Sequence, residues 1–147
     1  MVLSRPDPSA EDNPHHTTVL VVEDEILIRA AVAEYLRKSG YTVVEAADAA
    51  EAIAVFASGE PIDVVICDVD MPGTMDGLGL ARWIKQHYCT LPVLLTSGRG
   101  IAVPPAERLA PFFVSKPYRL QVLAERLKLM LASRDSAADE KPVREPR

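Results

Sequence analysis

Five short apolar runs, separated by segments of helical periodicity, are the feature that most restricts the fold of this 147-residue chain. The runs predict strands at 19–22, 42–46, 62–67, 92–96 and 112–115. Helical patterns occupy 23–40, 48–59, 76–89 and 118–132, whereas Pro104 and Pro105 would interrupt a helix over 99–110. This alternation predicts an α/β fold, a doubly wound five-stranded parallel sheet with helices on both faces.

Charge and hydropathy exclude several classes of protein. The net charge of −5 and the absence of a basic stripe argue against nucleic-acid binding. No run of about 18 apolar residues is present, so no membrane span is predicted. The N-terminus lacks an apolar signal core, and Cys67 and Cys89 lack metal-type spacing. We therefore expect a cytoplasmic protein.

One domain is predicted, because the regular patterns are confined to residues 18–132. Residues 1–17 are expected to form a flexible lead-in, and residues 133–147 a flexible charged tail that is too short for an output domain. The last helix carries one main apolar stripe. Its members are Leu120, Leu123, Ala124, Leu127 and Leu131. Three apolar residues lie off this stripe, namely Val122, Leu129 and Met130. Their position predicts either ordinary packing or a self-association face.

Polar residues follow four of the predicted strands. Glu23 and Asp24 follow the first, Asp68 the third, Thr96-Ser97 the fourth and Lys116-Pro117 the fifth. The carboxyl ends of parallel strands share one edge, which is where such sheets bind ligands. Crowded carboxylates repel unless a cation joins them, and Mg²⁺ prefers oxygen ligands of this kind. A carboxylate can also act as a nucleophile in phosphoryl transfer, which needs charge neutralisation such as a lysine supplies.

These residues resemble the receiver domains of response regulators in two-component signalling, which have a flavodoxin-like fold. The resemblance covers roughly residues 18–132. It rests on Glu23-Asp24 after VLVV, on Asp68 in DVDMPGTMDG, on PVLLTSG, and on the Lys116-Pro117 pair. Four motifs in the family's order, each at the end of a predicted strand, are strongly specific.

The resemblance implies a role for each charged residue. Asp68 would be the phosphoacceptor, and Lys116 would pair with the phosphoryl group. Asp24 would bind Mg²⁺, or Mn²⁺, directly, while Glu23 would act through water or from a second layer. Asp70 would contribute its main-chain carbonyl to the metal.

Three further positions are implied, and the sequence departs from the family pattern in three features: the register of the hydroxyl, the switch aromatic and the loop after Asp68. Ser97, five residues after Pro92, is the expected hydroxyl, and Thr96 is the alternative. Phe113 stands at the switch position where many members have Tyr. Pro117 commonly follows a cis bond in this family. The MPGTMDG loop is one residue longer than the usual form.

The resemblance implies a stand-alone receiver that takes a phosphoryl group from a sensor histidine kinase or a histidine phosphotransfer protein. It would signal to a downstream protein by conformational change, and the last helix could support a homodimer. The chain would catalyse only its own phosphorylation and slow dephosphorylation, and would not otherwise be an enzyme.

Two other functions stay open at this point. One is a degenerate receiver that binds partners without phosphorylation. The other is a haloacid-dehalogenase-like phosphatase, because Asp68-Val69-Asp70 matches the Asp-x-Asp pair of that family. Two strands precede the motif and few residues follow it, which disfavours the phosphatase.

Overall fold

The computed structural model of the protein describes residues 16–98 and 112–140. Its elements follow in chain order: β1 (Thr18–Val22), α1 (Ile26–Lys38), β2 (Thr42–Ala46), α2 (Ala49–Ala57), β3 (Val64–Asp68), α3 (Gly77–His87), β4 (Val93–Ser97), β5 (Phe113–Ser115) and α4 (Leu120–Glu140). The expectations for 99–110, and most of those for the two chain termini, lie outside the described residues.

The five strands form one parallel sheet in the order β2-β1-β3-β4-β5. The predicted α/β fold is thereby confirmed. β3 lies at the centre, with Cys67 opposite Val22 of β1 and Asp68 opposite Thr96 of β4. This register brings the carboxyl ends of the three central strands level at one edge of the sheet.

Side chains from the two faces of the sheet pack into separate hydrophobic clusters. On one face Leu20 and Val22 pack with Phe56 of α2 and Leu80 of α3. On the other face Val19 and Val21 pack with residues of α1 and α4. A strand covered on both faces needs an apolar side chain at nearly every position, which explains the continuous VLVV run.

Asp48 begins α2 as its N-cap, since its carboxylate accepts a hydrogen bond from the amide of Glu51 at 2.9 Å. Glu51 in turn accepts a hydrogen bond from the amide of Ala47 at 2.7 Å. The first contact satisfies an N–H group that the first turn of a helix leaves without a partner, and the second holds the residue that precedes the cap.

The last helix differs from its prediction in length and in its buried face. It ends at Glu140 rather than 132, so it includes part of the segment predicted as a tail. Met130 is 1% exposed and belongs to the core, so a place for it on a self-association face is wrong. Leu129 is 59% exposed. In the part of the chain that the structure describes, no helix has the length and hydropathy to span a membrane.

Candidate functional site

Asp68 is the last residue of β3 and lies at the centre of the carboxyl edge. Asp68 is only 3% exposed, although the side chains of aspartates are usually exposed to water. The amide of Asp70 donates a hydrogen bond to Asp68 Oδ1 at 3.3 Å. The amide of Val69 donates to the carbonyl of Thr96 at 2.8 Å, which fixes the backbone beside the carboxylate.

Lys116 lies between two buried carboxylates. Its Nζ is 3.0 Å from Glu23 Oε1 and 3.2 Å from Asp68 Oδ2. The amide of Lys116 donates to the carbonyl of Ser97 at 2.7 Å, so the end of β5 is held against β4. The Lys116–Pro117 peptide bond is cis, as the resemblance implies. Charge pairing of this kind is what allows carboxylates to be buried at a strand end.

Three carboxylates converge at this edge. One oxygen from each of Glu23, Asp24 and Asp68 can be chosen so that all lie within 4.8 Å of one another. Glu23 and Asp68 are buried, whereas Asp24 is exposed. A group of oxygen ligands with one member open to solvent fits a hard divalent cation that keeps some of its water.

Burial raises the pKa of Asp68 above its ordinary 3.8, although the charge and hydrogen bond of Lys116 oppose the shift. Burial likewise raises the pKa of Glu23 above 4.5, against hydrogen bonds from the Glu25 amide and from Lys116. Burial alone would lower the pKa of Lys116, but Glu23 and Asp68 together raise it above 10.5. The ammonium therefore stays charged at neutral pH, and it stabilises the ionised form of both carboxylates.

Two buried hydroxyl residues, Thr96 and Ser97, stand at the end of β4. Thr96 lies opposite Asp68 in the sheet register. Ser97 lies one residue further and donates from Oγ to the carbonyl of Gly98 at 3.1 Å. Both are brought to the site edge, and the preference for Ser97 stays a prediction.

Two other predicted residues lie around the site. Phe113 is partly buried and packs against the cluster that contains α2 and α3. Its carbonyl accepts a hydrogen bond from Arg126 Nη1 of α4 at 3.1 Å. Asp70 is exposed, and the metal role of its carbonyl stays a prediction.

Arg29 is a contact residue that the sequence reasoning missed. Its Nη1 donates to the carbonyl of Glu23 at 2.8 Å, and its Nε donates to Glu45 Oε1 at 3.3 Å. Arg29 therefore ties the acidic turn after β1 to β2. The sequence held no clear signal for these contacts, because one partner is a main-chain carbonyl and the other lies on a different strand.

The family model described as "Response regulator receiver domain" matches residues 19–128. Among curated proteins, the phosphate regulon transcriptional regulatory protein PhoB of Pseudomonas aeruginosa is 31% identical over 86% of this chain and 56% of its own length. A putative NtrX-like response regulator of Rickettsia bellii is 35% identical over 75% of this chain and 24% of its own. The sensor kinase CckA of Brucella abortus is 36% identical over 86% of this chain and 14% of its own length. The chain thus spans only part of these relatives.

Solved structures give the same likeness. The receiver domain of NtrX from Brucella abortus has a TM-score of 0.71 and 34% identity, over 78% of this chain and 98% of that one. The receiver domain of the hybrid histidine kinase CckA has a TM-score of 0.63 and 35% identity, with the same coverage of both chains.

Proposed function

The chain belongs to the family of response regulator receiver domains, and we propose that it accepts a phosphoryl group on Asp68. The donor would be a sensor histidine kinase or a histidine phosphotransfer protein. One observation carries the proposal, namely the Lys116 ammonium shared between Asp68 and Glu23 at 3.2 and 3.0 Å. A lysine held beside a buried carboxylate is ready to neutralise charge as a phosphoryl group arrives.

In the proposed reaction, a carboxylate oxygen of Asp68 attacks the phosphorus atom of the donor in line with the bond that breaks. A P–O bond to Asp68 forms, and the P–N bond of the phosphohistidine breaks, with the electron pair leaving on the imidazole nitrogen. Lys116 supports the added negative charge, and the hydroxyl of Ser97, or of Thr96, donates to a phosphoryl oxygen. Phosphoryl transfer depends mainly on such positioning and neutralisation.

We propose that Asp24 and Asp68 bind Mg²⁺, or Mn²⁺, directly, with the Asp70 carbonyl as a further ligand. Glu23 would act through water, since one of its oxygens already accepts from Lys116. The convergence of the three carboxylates supports this assignment. When bound, the ion would neutralise carboxylate and phosphoryl charge.

Signalling would follow from a change in the contacts of Lys116 and Ser97. Phe113 carries no hydroxyl, so its part would be repacking of the ring. The hydrogen bond from Arg126 to its carbonyl supports coupling between β5 and α4. Output would then pass to a downstream protein, or to a second copy through Val122 and the exposed Leu129. A cytoplasmic location is part of this proposal.

Intact mass after incubation with acetyl phosphate and Mg²⁺ tests the proposal. We expect one phosphoryl group on the wild type and none on Asp68→Asn. Asp48→Asn is the matched control, because Asn is an equally good N-cap at that position and the site is not involved. Labelling of Asp68→Asn would refute the phosphoacceptor assignment. An unlabelled wild type would favour a receiver that works without phosphorylation.

A further inference from the structure

Gly77, the first residue of α3, lies closer to the backbone of Asp68 than any residue with a side chain could. A Cβ at Gly77 would be 2.0 Å from the carbonyl oxygen of Asp68 and 2.6 Å from the Cα of Val69. These neighbours are backbone atoms, so no side chain can turn away to make room. The φ of Gly77 is not positive, unlike that of Gly73, so space rather than backbone conformation requires glycine here.

Several hydrogen bonds hold this close approach together. The amide of Gly77 donates to the carbonyl of Val69 at 3.0 Å. The buried thiol of Cys67 lies 3.5 Å from the carbonyl oxygen of Asp68 and 3.8 Å from that of Gly77. Asp76 caps α3 by accepting from the amide of Gly79 at 2.9 Å. The N-terminus of α3 is therefore fixed against the Asp68–Val69 peptide.

The opposite side of the same peptide is fixed by β4, where the amide of Val69 donates to the Thr96 carbonyl. The Asp68–Val69 peptide thus lies between α3 and β4 and has little room to move. A Cβ at Gly77 would have to lie at least about 3.0 Å from its nearest neighbouring atom. The junction between α3 and the Asp68–Val69 peptide would therefore have to open by about 1 Å. Such a shift exceeds the range of about 0.5 Å over which the donor–acceptor distance of a hydrogen bond such as that from Lys116 to Asp68 normally varies.

We propose that Gly77 is a positioning residue for phosphoryl transfer, whose lack of a side chain sets where the Asp68 carboxylate stands relative to Lys116 and Asp24. The inference rests on the proposed role of Asp68 as phosphoacceptor. Gly77 touches neither donor nor metal and acts through the Asp68 backbone. A misplacement of about 1 Å in a reacting group can lower a rate about 100-fold.

The test compares Gly77→Ala with Gly79→Ala. At Gly79 a Cβ would meet the flexible side chain of Met75 at 2.9 Å, which can move aside. The rate constant of labelling is measured by intact mass, at saturating acetyl phosphate and Mg²⁺, below the melting temperature of both variants. We expect a fall of about 100-fold for Gly77→Ala and a nearly unchanged value for Gly79→Ala. A purely structural role would reduce the labelled fraction but not the rate constant of folded molecules.

A folded Gly77→Ala variant with the wild-type rate constant would overturn the inference. If that variant does not fold, Cys67→Ala examines the same junction without adding an atom, and the exposed Cys89→Ala is its control. We then expect labelling about tenfold slower for Cys67→Ala alone, and equal rate constants would again overturn the inference. A wild type that is never labelled would instead refute the proposed function itself.

Discussion

Lys116→Met removes the ammonium of the site while keeping most of the apolar stem of the side chain. The lost Nζ lies 3.0 Å from Glu23 and 3.2 Å from Asp68, whose side chains are each 4% exposed. Removing one partner of a buried ion pair costs about 3–5 kcal/mol, because the remaining charge is left uncompensated. We expect the lower end, about 3 kcal/mol, since Lys116 is 19% exposed and water can partly replace it.

Thermal unfolding in EDTA measures this cost as a fall in Tm of roughly 10 °C at neutral pH for a domain of this size. The deficit should shrink as the pH falls. Burial raises the pKa of Asp68 and of Glu23, and loss of the ammonium raises both further. Each carboxyl then contributes stability that is present at low pH and is lost as the pH rises through its folded pKa. The variant should therefore approach the wild type as the pH falls toward the ordinary values of 4.5 and 3.8.

Lys38→Met is the matched control. Lys38 pairs with Glu34 at 3.2 Å, but the two side chains are 75% and 68% exposed. Exposed pairs of this kind contribute less than about 1 kcal/mol, so the control should melt close to the wild type. A Lys116→Met variant with the wild-type Tm at neutral pH, or with a deficit that does not change with pH, would refute the reasoning.

Three further outcomes are expected. Asp24→Asn should abolish the rise in Tm caused by Mg²⁺ and leave the metal-free free energy of unfolding within about 0.5 kcal/mol of the wild type, because Asp24 is exposed. A metal response that survives would count against Asp24 as a ligand. Metal-free Asp68→Asn should be more stable than the wild type at neutral pH, with the gain vanishing below pH 3.8, because it removes a carboxylate whose pKa is raised. Denaturant unfolding across pH measures this, and a constant difference would contradict it. If α4 forms a dimer, the double variant Val122→Asp, Leu129→Asp should sediment as a monomer, whereas Leu27→Asp, at an 81% exposed leucine of α1, should not. Equal sedimentation of the double variant and the wild type would exclude this interface.

The three central strands, β1, β3 and β4, were predictable because they are buried almost throughout and each contains a run of apolar residues. The predicted second strand, 42–46, coincides with Thr42–Ala46. The first predicted helix began too early, at 23. The helix begins at Ile26, because Glu23 to Glu25 form the turn that carries the acidic residues. A functional turn that is rich in helix-forming residues cannot be separated from its helix by periodicity alone.

The last helix and the site show what depends on tertiary contacts. Met130 follows Leu123 by seven residues and Leu127 by three, so it continues their face into the core. The pairing of Lys116 with Glu23 joins residues 93 positions apart, and no local pattern encodes it. The resemblance assigned Lys116 to the phosphoryl group, whereas in the structure its ammonium is divided between two carboxylates.

The charge of the site should also affect how phosphodonors approach it from a distance. At neutral pH its three carboxylates and one ammonium carry a formal charge of −2. One divalent cation would neutralise this charge, whereas one monovalent cation would leave it negative. Phosphodonors are anions, so the metal-free edge should repel them over distances of about a Debye length, about 8 Å at physiological ionic strength. Association of a phosphodonor with the site should therefore be slowest at low ionic strength without the divalent cation, and added salt should accelerate it.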